Sequence, residues 1–455
     1  MYKRKCYDKL LAWKTREQGA TAMLIEGARR VGKSTLAEEF AKKEYESYLL
    51  IDFSIAPADV RRAFLDLATD FDSLFLYLQT IYNVRLAPRK SLVIFDEVQR
   101  FPKARELVKH LVADGRYDYL ETGSLISIKQ NVADILIPSE EESLKLEPFD
   151  FEEFLWAAGE EMLAEAIRRA FTRREALPNG LHEKAMRLWR EYLLVGGMPQ
   201  SVAAYLDGKD MEAADREKRR ILKLYADDIA KFGGSEASRV FAIFDKIPGQ
   251  LSKHEKKFTL TALGANARSR TYEGAFFWLG DARLTNICFN CTDPTVGLAM
   301  NLDSSSFKCY MADTGLLVSH TFADRATTPN EAYRDILLGR LELNEGMLVE
   351  NVVAQQLNAS GHRLFFYSRE GTGEGPAGRM EIDFLIAGEY ENAAGRLRVS
   401  PIEVKSGKGR YATSSLDKFK AKFGKRVGTE YVLHPKQLRT DGDRLYLPLY
   451  MAHLL

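Results

Sequence analysis

Eight residues, Gly27-Ala28-Arg29-Arg30-Val31-Gly32-Lys33-Ser34, constrain this chain more than any other segment. An apolar run, AMLIE, precedes them and a helix-periodic run, STLAEEFAKKE, follows. The spacing G-x-x-x-x-G-K-[S/T] between a strand and a helix aims successive backbone N–H groups and a helix N-terminus at one point. A triphosphate fits there. Gly27, Arg29, Arg30, Val31 and Gly32 form the loop, and the two glycines allow a close backbone approach. Lys33 is expected to reach the β- and γ-phosphates, Ser34 to hold Mg²⁺ and Thr35 to touch the α-phosphate. The competing reading is a glycine turn that happens to be followed by Lys and Ser; strand and helix on the required sides weigh against it.

A second apolar strand, Ser91–Asp96, ends in Asp96-Glu97 about 60 residues after the loop. One carboxylate there lies on the metal side, and its neighbour is suited to orienting an attacking water. Helix N-terminal capping explains such acids when they stand alone. The next strand ends in Glu121-Thr122-Gly123-Ser124, where the Thr122 hydroxyl is a candidate contact for the terminal phosphate or the water. Thr-Gly-Ser is also an ordinary turn.

At 455 residues the chain has length for roughly three domains. The 45% hydrophobic fraction is enough for several cores, which excludes global disorder. Lys and Arg number 65 against 64 acids, so any contact with nucleic acid or membrane needs a local patch. Four cysteines suit a reducing compartment. No apolar run nears the ~20 residues that span a bilayer. The expectation is a cytoplasmic protein.

Alternating strands (Ala22–Glu26, Tyr48–Phe53, Ser91–Asp96, Tyr117–Thr122, Leu144–Leu146) and helices (Ser34–Lys43, Ala58–Asn83, Lys103–Ala113) predict an α/β core with a parallel sheet over 1–150. Residues 151–235 read as a helical lid, in which Gly196-Gly197-Met198-Pro199, a structural turn, stops the helix HEKAMRLWREYLLV. Residues 236–300 suit a winged-helix-like module. It carries Lys253, Lys256, Lys257, Arg268 and Arg270, which form either a phosphate-backbone patch or a solvated helix face. Strand–helix alternation returns over 301–455, with a glycine loop at 371–378. Cys288-x-x-Cys291 lacks the further ligands of a zinc site.

A second constellation is Glu350 on a helix, Asp383 in EIDFLI, and Glu403 and Lys405 in PIEVKSG. Residues two apart on a strand share a face, so Glu403 and Lys405 point together. Glu350, Asp383 and Glu403 form a candidate Mg²⁺ set for phosphodiester hydrolysis, with Lys405 as the catalytic ammonium. The alternative is a surface ion pair on a domain that only binds.

GARRVGKST, FDEVQRFP, ETGS, LEPFDFEEFL, YLLVGGMPQSV and KCYMADTGLL occur in an order that resembles a prokaryotic family of AAA+-type ATPases. In that family an ATPase core and helical lid precede a domain related to PD-(D/E)xK nucleases. The resemblance implies an additional-strand ATPase core, Mg²⁺ and ATP as ligands, Asp96 as the metal-side acid and Glu97 as the water-side acid. Family members carry a Gly-Arg pair after Thr-Gly-Ser, whereas this chain reads Leu125–Asn131 there. That leaves Arg29, Arg30 and Arg100 as candidates for an arginine finger. The implied activity is ATP hydrolysis coupled to the C-terminal nuclease-like domain, acting on DNA through that domain and the winged-helix-like module. The alternative is a regulatory ATPase whose nuclease-like domain is inactive and binds a protein partner or a second copy.

Overall fold

The structure is a computed structural model of the 455-residue chain. It describes all residues except 125–138, 254–256, 264–268, 296, 338–343, 372–377, 389–397 and 408–410, together with the side chains of 269 and 270. The stretch Leu125–Asn131, most of the glycine loop at 371–378, Lys256, Arg268 and the Arg270 side chain therefore lie outside the described residues. The chain divides into two compact units, Met1–Glu147 with Asp281–Arg283, and Pro148–Gly280 with Leu284–Leu455.

The first unit alternates α1 (Cys6–Glu17), β1 (Ala22–Glu26), α2 (Lys33–Glu44), β2 (Ser47–Asp52), α3 (Ala58–Asp66), α4 (Phe71–Tyr82), β3 (Ser91–Asp96), α5 (Pro102–Asp114), β4 (Asp118–Gly123) and β5 (Glu141–Lys145). Every residue of β1, β3 and β4 is buried, as strands covered on both faces require. Leu49, Ile51, Val93 and Phe95 pack with Val60, Phe64, Leu74 and Val108 on one face. Met23, Ile25, Ile94 and Leu120 pack with Leu10, Leu36 and Phe40 on the other. Among the described residues the strand order is β2-β3-β4-β1-β5, with all pairs parallel. Insertion of β4 between β1 and β3 is the additional-strand arrangement, and it sets the ends of β1, β4 and β3 side by side.

The helix expected over Ala58–Asn83 is two helices. Asp70 interrupts it, accepting the Ser73 N–H at 3.1 Å. A carboxylate that caps a new first turn is worth more than continuing through an acid-bounded stretch.

The second unit opens with helices α6 (Phe151–Ala157), α7 (Glu161–Arg173), α8 (Asn179–Val195), α9 (Pro199–Leu206), α10 (Met211–Phe232), α11 (Ala237–Leu251) and α12 (Ser269–Asp281). It continues through β6 (Thr285–Cys291), β7 (Leu302–Met311), α13 (Thr314–Thr321), α14 (Asn330–Leu337), α15 (Glu345–Ala359), β8 (Phe365–Arg369), β9 (Met380–Ala387), β10 (Val399–Val404), α16 (Ser414–Phe423), β11 (Glu430–His434), β12 (Arg439–Asp441) and β13 (Arg444–Pro448). Its mixed sheet runs β12-β13-β11-β10-β9-β8-β6-β7 among the described residues. The expected boundary at 300/301 thus falls between two paired strands. β6 pairs with β7 on one side and β8 on the other, so the hairpin expected to be a wing is part of this sheet.

Two motifs far apart in sequence meet inside this unit. Gly196 has φ 80°, and a Cβ placed there would lie 2.2 Å from Asp313 Oδ1. Asp313 Oδ2 accepts the Gly197 N–H at 2.5 Å and Oδ1 accepts the Leu316 N–H at 2.9 Å, capping α13. Burial raises the Asp313 pKa, and these backbone donors oppose the shift. The Gly-Gly turn and the Asp-Thr-Gly strand end therefore form one buried knot.

Candidate nucleotide site

Gly32 adopts φ 101° as the N-cap of α2, a left-handed conformation that glycine takes without steric cost. The loop it closes holds Lys33, which is buried. Lys33 Nζ donates to the Gly27 carbonyl at 3.1 Å and to the Ala28 carbonyl at 3.0 Å. Burial depresses its pKa to about 8, although Glu97 and Asp96 pull the other way. An ammonium held by carbonyl dipoles in a desolvated loop gains from any anion that replaces them.

Beside the loop, Ser34 Oγ donates to Asp96 Oδ1 at 2.7 Å, and the Thr122 hydroxyl donates to the same oxygen. Asp96 and Thr122 are buried. A hydroxyl and a carboxylate converging this way are the hard oxygen donors that Mg²⁺ takes. The residues fit: Ser34 and Asp96 would hold the metal, and the loop with Lys33 would hold the triphosphate.

Glu97 has φ 54°, uncommon for a residue with a side chain. Its N–H donates to Thr122 Oγ1 at 3.3 Å, and Gln99 Nε2 donates to its Oε2 at 2.7 Å. Ser124 Oγ lies 3.4 Å from both Glu97 Oε2 and Gln99 Nε2. The carboxylate is thus held by Gln99 from the turn between β3 and α5 and by Ser124 just after β4, while Thr122 of β4 accepts from the Glu97 backbone. Gln99 was not singled out from the sequence, and its only signal was its place two residues after Glu97. Val31 is buried, Arg29 half-buried, and Arg30, Thr35 and Arg100 exposed.

The C-terminal acids divide. Glu350 on α15 and Asp383 on β9 lie on either side of a lysine that sequence reasoning passed over. Lys308 on β7 is 1% exposed along its side chain, and its Nζ is 3.0 Å from Glu350 Oε1, 3.0 Å from Glu381 Oε1 and 3.9 Å from Asp383 Oδ1. Tyr310 donates to the same Glu350 oxygen. Between β8 and β9 the register slips from Phe365–Leu385 to Tyr367–Ile382, so β9 carries one extra residue. Asp383 follows Glu381 by two residues and shares its face toward Lys308, and its Oδ2 accepts the Val404 N–H at 2.8 Å. Burial and the charges of Glu350 and Glu403 raise the Asp383 pKa, and Lys308 and the Val404 N–H oppose them.

Glu403 is paired with Lys405 and not with Lys308, although its charge still acts on Asp383. Val399 packs with Leu416 and Phe419 of α16, and Glu403, four residues on, shares that face. Burial raises its pKa, while Lys405, Arg444 and a backbone hydrogen bond from Leu416 oppose the shift. Lys405 Nζ lies 2.8 Å from Glu403 Oε2. Among the described residues no three His, Cys, Asp or Glu side chains stand together at metal-binding geometry. Of the expected set, Glu350 and Asp383 meet at Lys308, and Glu403 lies with Lys405 on the α16 face.

Residues 20–155 match a family model described as an AAA domain. Residues 186–327 and 345–451 match two models, each described as a domain of unknown function. No curated protein matches the chain. Among solved structures, the Walker-type ATPase PABY2304 of Pyrococcus abyssi is 15% identical over 70% of this chain and 96% of its own, with TM-score 0.40. The Thermotoga maritima RuvB Holliday junction branch migration motor is 15% identical over 62% and 89%, with TM-score 0.25. Drosophila ORC bound to DNA is 14% identical over 75% and 97%, with TM-score 0.27. Residues 20–155, which hold the Gly27–Ser34 loop, thus match an AAA domain. The matched stretch is joined to helices and a C-terminal sheet that carry the two domains of unknown function. No helix among the described residues is long and apolar enough to cross a membrane.

Proposed function

We propose that the first unit binds ATP with Mg²⁺ and hydrolyses it, and that nucleotide state is coupled to the second unit. The observation that carries this reading is the buried Lys33 ammonium, held by loop carbonyls, beside the Ser34–Asp96 pair. Backbone N–H groups of Gly27 to Gly32 and the start of α2 would bind phosphate oxygens, with Arg29, Arg30 and Val31 supplying loop positions and Thr35 an exposed hydroxyl at the helix start. Lys33 would hold the β- and γ-phosphates in place of the two carbonyls. Bound Mg²⁺ supplies neutralisation of phosphate charge. Glu97, held by Gln99 and the Thr122 hydroxyl, would orient the water and accept its proton. Glu97→Gln is expected to lower turnover by on the order of 10²–10⁴ while ATP still binds. Turnover unchanged in that variant, read by phosphate release, would remove Glu97 from the reaction.

For the second unit we favour the regulatory alternative, in which the nuclease-like acids do not cut DNA and the unit engages a protein partner. Two observations support it: Lys308 occupies the space between Glu350 and Asp383, and Glu403 with Lys405 is committed to the α16 face. Purified protein is expected to leave linear and branched DNA intact with Mg²⁺ or Mn²⁺, with and without ATP. Cleavage that disappears in Asp383→Ala or Lys405→Ala would restore the nuclease reading, in which Asp383, Glu403 and Lys405 are catalytic.

A further inference from the structure

Lys308 lies near the end of β7 in the run Phe307–Met311, every residue of which is buried. Extended alternation puts Lys308 and Tyr310 on one face of the sheet, and both reach Glu350 of α15. From the neighbouring part of the sheet come Glu381 and Asp383 of β9. The Phe366 ring centroid lies 5.1 Å from the ammonium, adding its electron-rich face to the site. Burial alone would strip the proton from a lysine. Here the charges of Glu350, Asp383 and Glu381 outweigh it and hold Lys308 above the ordinary lysine range.

Three carboxylates focused on one desolvated point need a positive charge at that point, since their mutual repulsion in a low-dielectric site is large. A divalent cation would need oxygens at about 2.0–2.6 Å. The ammonium instead sets them at 3.0 to 3.9 Å. We infer that Lys308 is a built-in counter-ion, seated where Glu350, Glu381 and Asp383 would otherwise hold a divalent metal, so that this cation site is filled by the chain itself. The inference rests on the regulatory reading of the second unit and gives it a physical cause. The acids keep their places in the fold because the lysine, and not a metal, binds them.

The test uses the full chain without nucleotide and counts bound Mn²⁺ by electron paramagnetic resonance. Lys308→Met is expected to bind one Mn²⁺ more per chain than the parent, and Lys308→Met with Asp383→Asn is expected to lose it. Lys308→Arg, which keeps a cation, should bind no more than the parent. Should Lys308→Met fail to fold, the parent and its Asp383→Asn variant decide: equal Mn²⁺ counts support the inference, and a site present in the parent but lost in the variant overturns it. A folded Lys308→Met that takes up no extra Mn²⁺ also overturns it. A DNA-cleavage assay on the same parent separates the two failures. Intact DNA with either overturning result sinks this inference alone, whereas Asp383-dependent cleavage sinks the regulatory reading as well.

Discussion

Of the lysines buried among the described residues, Lys33 and Lys308 belong to the two candidate sites, and their surroundings push them in opposite directions. Lys33 faces carbonyl dipoles, and desolvation lowers its pKa to about 8. Lys308 faces three carboxylates, which outweigh desolvation and raise it. The first is a charge without a full counter-charge, and the second has more than it needs. Lys218 is also buried with a lowered pKa but donates its ammonium to the Leu194 carbonyl and Tyr333, so burial marks an anion site only where, as at Lys33, the lysine sits in a phosphate loop. A lysine of the second kind marks a place where a cation is already bound.

The largest expected effect follows from removing the saturated lysine. Lys308→Met leaves the buried Glu350 uncompensated beside the part-exposed Glu381 and Asp383, and should cost about 3–5 kcal/mol of stability, read by urea unfolding in metal-free buffer. Lys33→Met removes a charge that the apo fold does not fully compensate. It should unfold within about 1 kcal/mol of the parent, or later. Equal costs for the two variants would break the contrast.

A smaller, graded effect concerns pH. Lys33 has a folded pKa below its unfolded value, so its protonated form opposes folding; that cost is present at neutral pH and fades as pH rises from about 8 toward the unfolded value. A bound triphosphate favours the ammonium and therefore raises that pKa. ATP binding should then take up protons, and affinity should fall by up to roughly tenfold per pH unit above pH 8. Lys308 has the reverse sign. Its stabilisation is complete below the unfolded lysine value and is lost only as pH climbs through the raised folded one.

Much of the first unit was legible because its strands are short, doubly covered apolar runs. β1 and β3 have the expected bounds, and Ser34 and Asp96 meet as their motifs require. The helix break at Asp70 was hidden because the apolar period runs through it. The second unit was harder to read, since its acids follow a familiar order along the chain while their faces depend on three-dimensional details. Alternation from Glu381 puts Asp383 beside Lys308, and alternation from Val399 keeps Glu403 on the α16 side. Neither is visible in the spacing E…D…E-x-K. Lys308 did carry a signal, a single charge at the end of an apolar strand, but it was read as part of a motif and not as a group needing partners. Gln99 was missed for a similar reason, because its role depends on the left-handed turn at Glu97.

The contrast between the two lysines is tested most directly by titration calorimetry of ATP with Mg²⁺ at pH 8.5, in two buffers of different ionisation enthalpy. The parent should bind with a net uptake of a fraction of a proton, and Lys33→Met should show binding weakened by at least about a hundredfold. Binding without proton uptake, or equal affinity in the variant, would contradict the assignment of Lys33 as an ammonium awaiting phosphate.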